Sequence, residues 1–292
     1  TYKLDMSKNK LLIQKQDKFQ SFKPANYFTG YFQVSSQLYI TYMYHKQCIT
    51  LDGKKTYPCL LHGYGAYGHT LDESFSSSII SLVDRGFLYC IAHIRGSSFQ
   101  GKQWYKDGKL LHKMNTFIDF ETCASYLISK KYTSSSQLTI YGASAGGLLM
   151  GACINRDPSL YNIAIMGSPW LDALSTMLNP NSPLTTMEYN EWGNPNQKKY
   201  YDYMLQYSPY DNINENYDYP HIFISSGSND SVVPISDSLK YYAKIRNSHI
   251  FKHNLKTITL KISDFGHSGT NKRYEGIHET CKIYSFILKY TH

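Results

Sequence analysis

The stretch "LTIYGASAGGLLMGA", residues 138–152, decides the fold. Leu138 to Tyr141 is apolar and carries β-branched residues, the pattern of a strand. Gly142, Ala145, Gly146 and Gly147 then flank Ser144 with small residues, and the Leu, Met and Ala run beyond favours a helix. A serine nucleophile on an elbow needs this context of strand, very tight turn and helix. The turn lifts the hydroxyl above the sheet and aims it at the helix N-terminus, where the Ala145 N–H can donate to an oxyanion. G-x-S-x-G alone is weak, because Gly and Ser are common residues. The competing reading is a small-residue corner between strand and helix.

Strand candidates on either side of this stretch are residues 37–45, 57–63, 87–94, 137–142, 162–167, 221–227 and 256–262. The first alternates and reads as antiparallel. Several later ones are continuously apolar, as in strands covered on both faces. Helical spacing puts Phe117, Phe120, Ala124 and Leu127 on one face, Ile235, Leu239, Tyr242 and Ala243 on another, and Ile277, Cys281, Tyr284 and Leu288 on a third. Strand–helix alternation implies a mostly parallel sheet with helices on both faces, and with the elbow this is an α/β-hydrolase fold. Residues 1–35 fit the scheme poorly and read as an exposed strand followed by a linker. The α/β unit is therefore expected over residues 36–292.

A serine hydroxyl is a poor nucleophile until a base takes its proton, and the base needs an acid to orient it. In this architecture the chain order is Ser, acid, His, the last two on loops after later strands. Asp230 in "ISSGSNDSVVP" follows strand 221–227, and His267 in "LKISDFGHSGT" follows strand 256–262. Rival acids are Asp264, expected to cap its own turn, and Asp172, which lacks a Gly-rich loop after a strand. His62, His93 and His221 read as core or edge residues, whereas His249, His253, His278 and His292 read as exposed.

The formal charge of +8 is spread along the chain with no five-residue Lys/Arg block, which argues for a solvated surface and against nucleic acid. No run of 18 apolar residues exists, so no membrane helix is expected. The first residues lack a signal-peptide core. The six cysteines, Cys48, Cys59, Cys90, Cys123, Cys153 and Cys281, contain no C-x-x-C pair and mostly lie in apolar runs. They read as free thiols in a reducing compartment, so a cytoplasmic protein with no metal and no cofactor is expected.

The motifs "LHGYGAYG", "AHIRGSS", "GKQWYKDGKLLHKMNTFIDF", "YGASAGGLLMGACIN", "PLTTMEYNEWGNP", "YSPYDNI" and "GHSG" occur in this order. Together they resemble the catalytic domain of the prolyl oligopeptidase family of serine peptidases, on its oligopeptidase B (protease II) branch. The resemblance covers nearly the whole chain from about residue 36. It implies cleavage of short peptides after basic residues, with Ser144, Asp230 and His267 on the triad positions and Tyr64 as the second oxyanion donor beside Ala145. It also implies an N-terminal β-propeller in the full-length protein, of which "TYKLDM" resembles the last strand.

The resemblance further suggests residues that set specificity. Glu188 falls on one of two acidic positions that bind a basic P1 side chain, and Asn190 falls on the other. Trp170 stands where the family has an aromatic wall. Asp72 matches one of two carboxylates that attract a basic P2 residue, and Ser74 replaces its partner. Val232 stands where many relatives have an Arg, and Arg95-Gly96-Ser97-Ser98-Phe99 replaces R-G-G-G-E. These departures keep open a hydrolase of small esters or N-acylated peptides, and a non-catalytic scaffold is a third reading.

Overall fold

The central strands are buried almost continuously, with successive apolar residues going to opposite faces of one sheet. The structure, a computed structural model, describes residues 2–13 and 22–291. Its strands are β1 (Tyr2–Asp5), β2 (Lys10–Ile13), β3 (Tyr27–Gln33), β4 (Tyr39–His45), β5 (Cys59–His62), β6 (Leu88–His93), β7 (Leu138–Ala143), β8 (Ile163–Gly167), β9 (His221–Gly227) and β10 (Ile258–Ser263). β1 and β2 pair as an antiparallel hairpin, while β3 to β10 form an eight-stranded sheet in the order β10-β9-β8-β7-β5-β6-β4-β3. β5 to β10 run parallel, and β3 and β4 are antiparallel at one edge.

Side chains two apart on a strand share a face. Leu61, Ile140, Met166 and Ile224 bury against the helices Met114–Ser129, Ala145–Arg156 and Ile235–Ile245. Leu60, Tyr89, Ile165 and Phe223 bury on the opposite face against Leu82 and Val83 of helix Ser77–Val83 and Phe286 and Ile287 of helix Arg273–Tyr290. This is the mostly parallel, doubly covered sheet that the alternation of elements predicts. No helix among the described residues is long and apolar enough to cross a membrane.

Three expectations need correction. The first is the boundary at residue 36, because β3 belongs to the sheet, pairing Phe32 with Ile40 and Tyr27 with His45. β3 is an edge strand, and Phe32 is its only buried side chain, so no apolar alternation marks it. Residues 14–21 of the expected linker lie outside the described residues. The other two concern helix faces. In Ile235–Ile245, Leu239 and Ala243 are exposed, and Asp237, Ser238, Tyr241 and Ile245 face inward. Asp237 and Ser238 can be buried because they find partners: Ser238 Oγ bonds Ser226 Oγ at 2.7 Å, and the Asp172 N–H donates to Asp237 at 3.3 Å. In the last helix Ile277 and Cys281 are exposed, and burial falls on Phe286 and Ile287 with Ile283 and Tyr284 beside them.

Loops at the carboxyl ends of the parallel strands are where open α/β sheets gather their ligands. Here the loops after β5, β7, β8, β9 and β10 carry Tyr64, Ser144, Trp170, Asp230 and His267.

Candidate active site

β7 ends at Ala143, and Ser144 follows with φ 57° and ψ −120° before helix Ala145–Arg156 begins. A left-handed non-glycine residue costs on the order of 1–3 kcal/mol and persists only where its surroundings over-determine it. The Ser144 N–H donates to Gly167 O at 2.8 Å, and the N–H groups of Gly147 and Leu148 donate to Ser144 O at 2.8 and 3.2 Å. Small residues are required here by contact. A Cβ at Gly142 would stand 2.3 Å from Gly146 O, and one at Gly146 would stand 2.8 Å from Gly63 O. Ala145 lies in the first turn of the helix, where amides have no intrahelical acceptor, so its N–H is available beside the Ser144 hydroxyl.

His267 joins the other two residues. Its Nδ1 lies 2.8 Å from Asp230 Oδ2 and its Nε2 lies 2.9 Å from Ser144 Oγ. A carboxylate only accepts, so Nδ1 carries the proton and Nε2 is left to accept from the serine hydroxyl. The other Asp230 oxygen accepts the N–H groups of Val232 and Val233, both at 2.8 Å. Asp230 is buried and His267 is partly exposed. The rival acids serve elsewhere. Asp264 accepts from Ser228 and Asn229, bracing the turn before Asp230, and Asp172 caps helix Ala173–Leu178 and pairs with Lys240.

Tyr64 follows β5 and lies beside Ser144; burial raises its pKa above the ordinary tyrosine value, and the neighbouring Ser144 hydroxyl opposes that. Its ring packs edge-on to His69 at 5.0 Å. Ser144, Ala145, Trp170, Glu188, Val232, Met177 and Leu184 line one cavity of about 30 Å³. Glu188 Oε2 accepts from the Tyr67 hydroxyl and the Trp192 indole N–H, both at 2.9 Å. Burial raises the Glu188 pKa, and those two hydrogen bonds hold it down. Trp170 packs edge-on to Trp192 at 4.7 Å, and its buried indole N–H has no partner among the described residues.

Two sequence candidates stand outside this pocket. Asn190 is exposed on helix Tyr189–Trp192, facing away from the cavity that Glu188 lines. Asp72 is exposed, accepts from the N–H and hydroxyl of Ser74, and lines a different cavity together with Glu73, Phe75 and Tyr31. Arg95 is bound to Asp119 through Nε at 2.8 Å and Nη2 at 2.6 Å, while Phe99 stacks on His93 at 3.7 Å.

Three polar residues around the site escaped the sequence reading. Tyr67 carries the hydroxyl on Glu188 at a φ of 57°. Glu191, 5% exposed, accepts the Tyr67 N–H at 2.8 Å and the Tyr105 hydroxyl, with Lys109 at 3.5 Å. Lys113, 2% exposed, donates to Gly65 O and lies 4.9 Å over the Trp192 ring. Its burial lowers the amine's pKa to about 7, and Glu191 opposes the shift. The only sequence signal was the pair of glutamates at i and i+3 in "EYNE", which share a helix face.

The sheet order, the serine at the β7 elbow and the acid and histidine after later strands define an α/β hydrolase. The chain belongs to the prolyl oligopeptidase family of serine peptidases, whose model matches residues 73–292. It is 41% identical over 255 residues to dipeptidyl aminopeptidase BI of Pseudoxanthomonas mexicana, covering 85% of this chain and 34% of that protein. It is 40% identical over 232 residues to protease 2 of Moraxella lacunata, covering 79% and 33%. The solved structure of oligopeptidase B from Leishmania major superposes with a TM-score of 0.91 at 37% identity, covering 99% of this chain and 40% of that one. Oligopeptidase B from Trypanosoma brucei with covalently bound antipain gives 0.91 at 38%, covering 99% and 41%. The chain thus spans about a third of the length of the curated relatives it matches.

Proposed function

We propose that this chain is the catalytic part of a serine oligopeptidase that cleaves after Arg or Lys. The observation that carries the reading is His267 bridging Ser144 and Asp230, with Ser144 also lining a pocket that holds Glu188. Ser144 Oγ attacks the scissile carbonyl carbon while His267 Nε2 takes its proton. Asp230 holds the imidazole by Nδ1 and stabilises the imidazolium. Negative charge that develops on the carbonyl oxygen is met by the Tyr64 hydroxyl and the Ala145 N–H. Nε2 then gives its proton to the departing amine as the C–N bond breaks, leaving an ester on Ser144. Water, with Nε2 again as base, hydrolyses that ester and restores the serine. A half-buried carboxylate at Glu188 suits a guanidinium or ammonium at P1, and the Trp170 face suits the stem beside it.

The fraction of the relatives' length outside this chain supports an N-terminal β-propeller in the intact protein. Free thiols in the core, among them Cys59, whose Sγ donates to Cys90 Sγ at 3.9 Å, support the cytoplasm as its compartment.

A small ester or N-acylated peptide is the second reading. The exposed Asn190 favours it, since it leaves Glu188 without a second acid in its pocket. Amides with Arg, Lys or neutral P1, offered to the intact protein and to Ser144→Ala, separate the two. Ser144-dependent turnover with a clear Arg and Lys preference is expected. Good ester turnover with no basic preference would favour the second reading, and turnover that survives Ser144→Ala would sink both.

A further inference from the structure

Tyr67 touches both halves of the proposed site. Its hydroxyl donates to Glu188 Oε2 at 2.9 Å, and its ring lies 5.7 Å from Trp192. Three residues earlier on the same turn, Tyr64 lies beside Ser144, its ring centroid 6.4 Å from that of Tyr67. The turn between them is gripped at two points. Lys113 donates to Gly65 O, and the Tyr67 N–H donates to Glu191 Oε1 at 2.8 Å. Glu191 lies one helical turn after Glu188 in the same short segment, so that segment holds the P1 carboxylate and also anchors the oxyanion turn.

The grip is bought at a backbone cost. Tyr67 sits at φ 57°, a conformation that bulky residues rarely adopt. Glu191 and Lys113 are both nearly fully buried, where an unpaired charge would be expensive, yet their partners are the backbone of this turn and groups next to it. Two buried ionisable side chains that hold this one turn indicate that its position relative to Glu188 matters.

The consequence is geometric. A P1 residue carries its side chain and its scissile carbonyl on one Cα, so a side chain held by Glu188 places the carbonyl correctly only if Glu188 and Tyr64 are in register. Misplacement of reacting atoms by about 1 Å can cost on the order of a hundredfold in rate. Resting on the peptidase reading above, we propose that Tyr67 is a positioning residue that registers the P1 carboxylate Glu188 against the oxyanion donor Tyr64. The advantage of a basic P1 residue then appears in kcat, because binding energy at Glu188 is realised as transition-state alignment.

The test is a double-mutant cycle in the intact protein, with Tyr67→Phe, Glu188→Gln and the double variant assayed on Arg-P1 and Ala-P1 amides. Tyr67→Phe keeps the ring and its packing and removes only the hydroxyl. Fluorophosphonate titration of Ser144 normalises each variant to folded sites. Tyr67→Phe is expected to lower kcat for the Arg amide about tenfold more than for the Ala amide, with KM for Arg within about twofold. In the Glu188→Gln background the same change should cost the Arg amide less than about twofold, because coupled residues are not additive. Equal losses on both amides, a loss confined to KM, or additive losses around the cycle would overturn the proposal. If the wild type prefers Arg and Tyr67→Phe spares that preference, the registration fails while the P1 role of Glu188 stands. If the wild type shows no preference for Arg at all, the peptidase reading of Glu188 fails and the registration is refuted with it.

Discussion

Removing the Tyr64 hydroxyl should slow the chemical step about a hundredfold. Loss of one oxyanion donor costs on the order of 10²–10³ in kcat. The lower end applies here because Ala145, at the start of a twelve-residue helix, remains as the second donor. A hundredfold is about 2.7 kcal/mol of transition-state stabilisation. In the resting site the same hydroxyl faces no developing charge, so the ground state loses far less. Phenylalanine preserves the ring that packs on His69 and over Gly146, and the fold should be undisturbed. Steady-state kinetics of Tyr64→Phe on an Arg-P1 amide, normalised by fluorophosphonate titration, read this out. The expected result is kcat lower by about two orders of magnitude with KM within about twofold. A kcat within about threefold of wild type, or a loss confined to KM, would refute Tyr64 as an oxyanion donor.

Glu188→Gln should cut kcat/KM for Arg and Lys amides by about 10–100-fold and for neutral P1 amides by less than about threefold; an equal loss on all would contradict a P1 role. Asp237 provides a pH signature in stability. Burial first, and the Asp172 charge second, raise its pKa from 3.8 to about 7. The folded state therefore keeps a proton that the unfolded chain has already lost, so this group's contribution falls as pH rises from about 4 to about 7. At 1.36 kcal/mol per unit the loss is at most about 4 kcal/mol. Denaturant titration at about pH 5 and about pH 8 should show a shallower decline for Asp237→Asn than for wild type, and identical declines would refute the assignment. Gly142→Ala should destabilise the fold by about 1–3 kcal/mol or more, since its Cβ would stand 2.3 Å from Gly146 O; an unchanged melting temperature would contradict that contact.

What could be read in the chain follows from how local each signal is. Ser144, Asp230 and His267 were legible because each follows an apolar strand in the order that the elbow demands, and the structure brings all three within hydrogen-bonding distance. Tyr64 needed the family resemblance, as one tyrosine among 28. Glu191 and Lys113 were out of reach because their partners lie far away in the chain, Tyr67 N, Tyr105 and Lys109 for the one and Gly65 O for the other. Edge strand β3 was lost since only Phe32 on it is buried. The face of helix Ile235–Ile245 was misread because its inward positions include Asp237 and Ser238, whose burial depends on partners from Asp172 and Ser226. Local apolar periodicity finds strands and helices; polar groups satisfied across the fold are invisible to it.

Cleavage of paired amides with Arg or citrulline at P1 tests most directly whether Glu188 reads charge beside Ser144. Citrulline keeps the length and planar head of arginine and removes its charge. With the intact wild-type protein, kcat/KM for the Arg amide should exceed that for the citrulline amide by on the order of a hundredfold, as a half-buried carboxylate loses a charge-assisted pair. A ratio near one, with both amides turned over by Ser144, would contradict a peptidase built for basic residues.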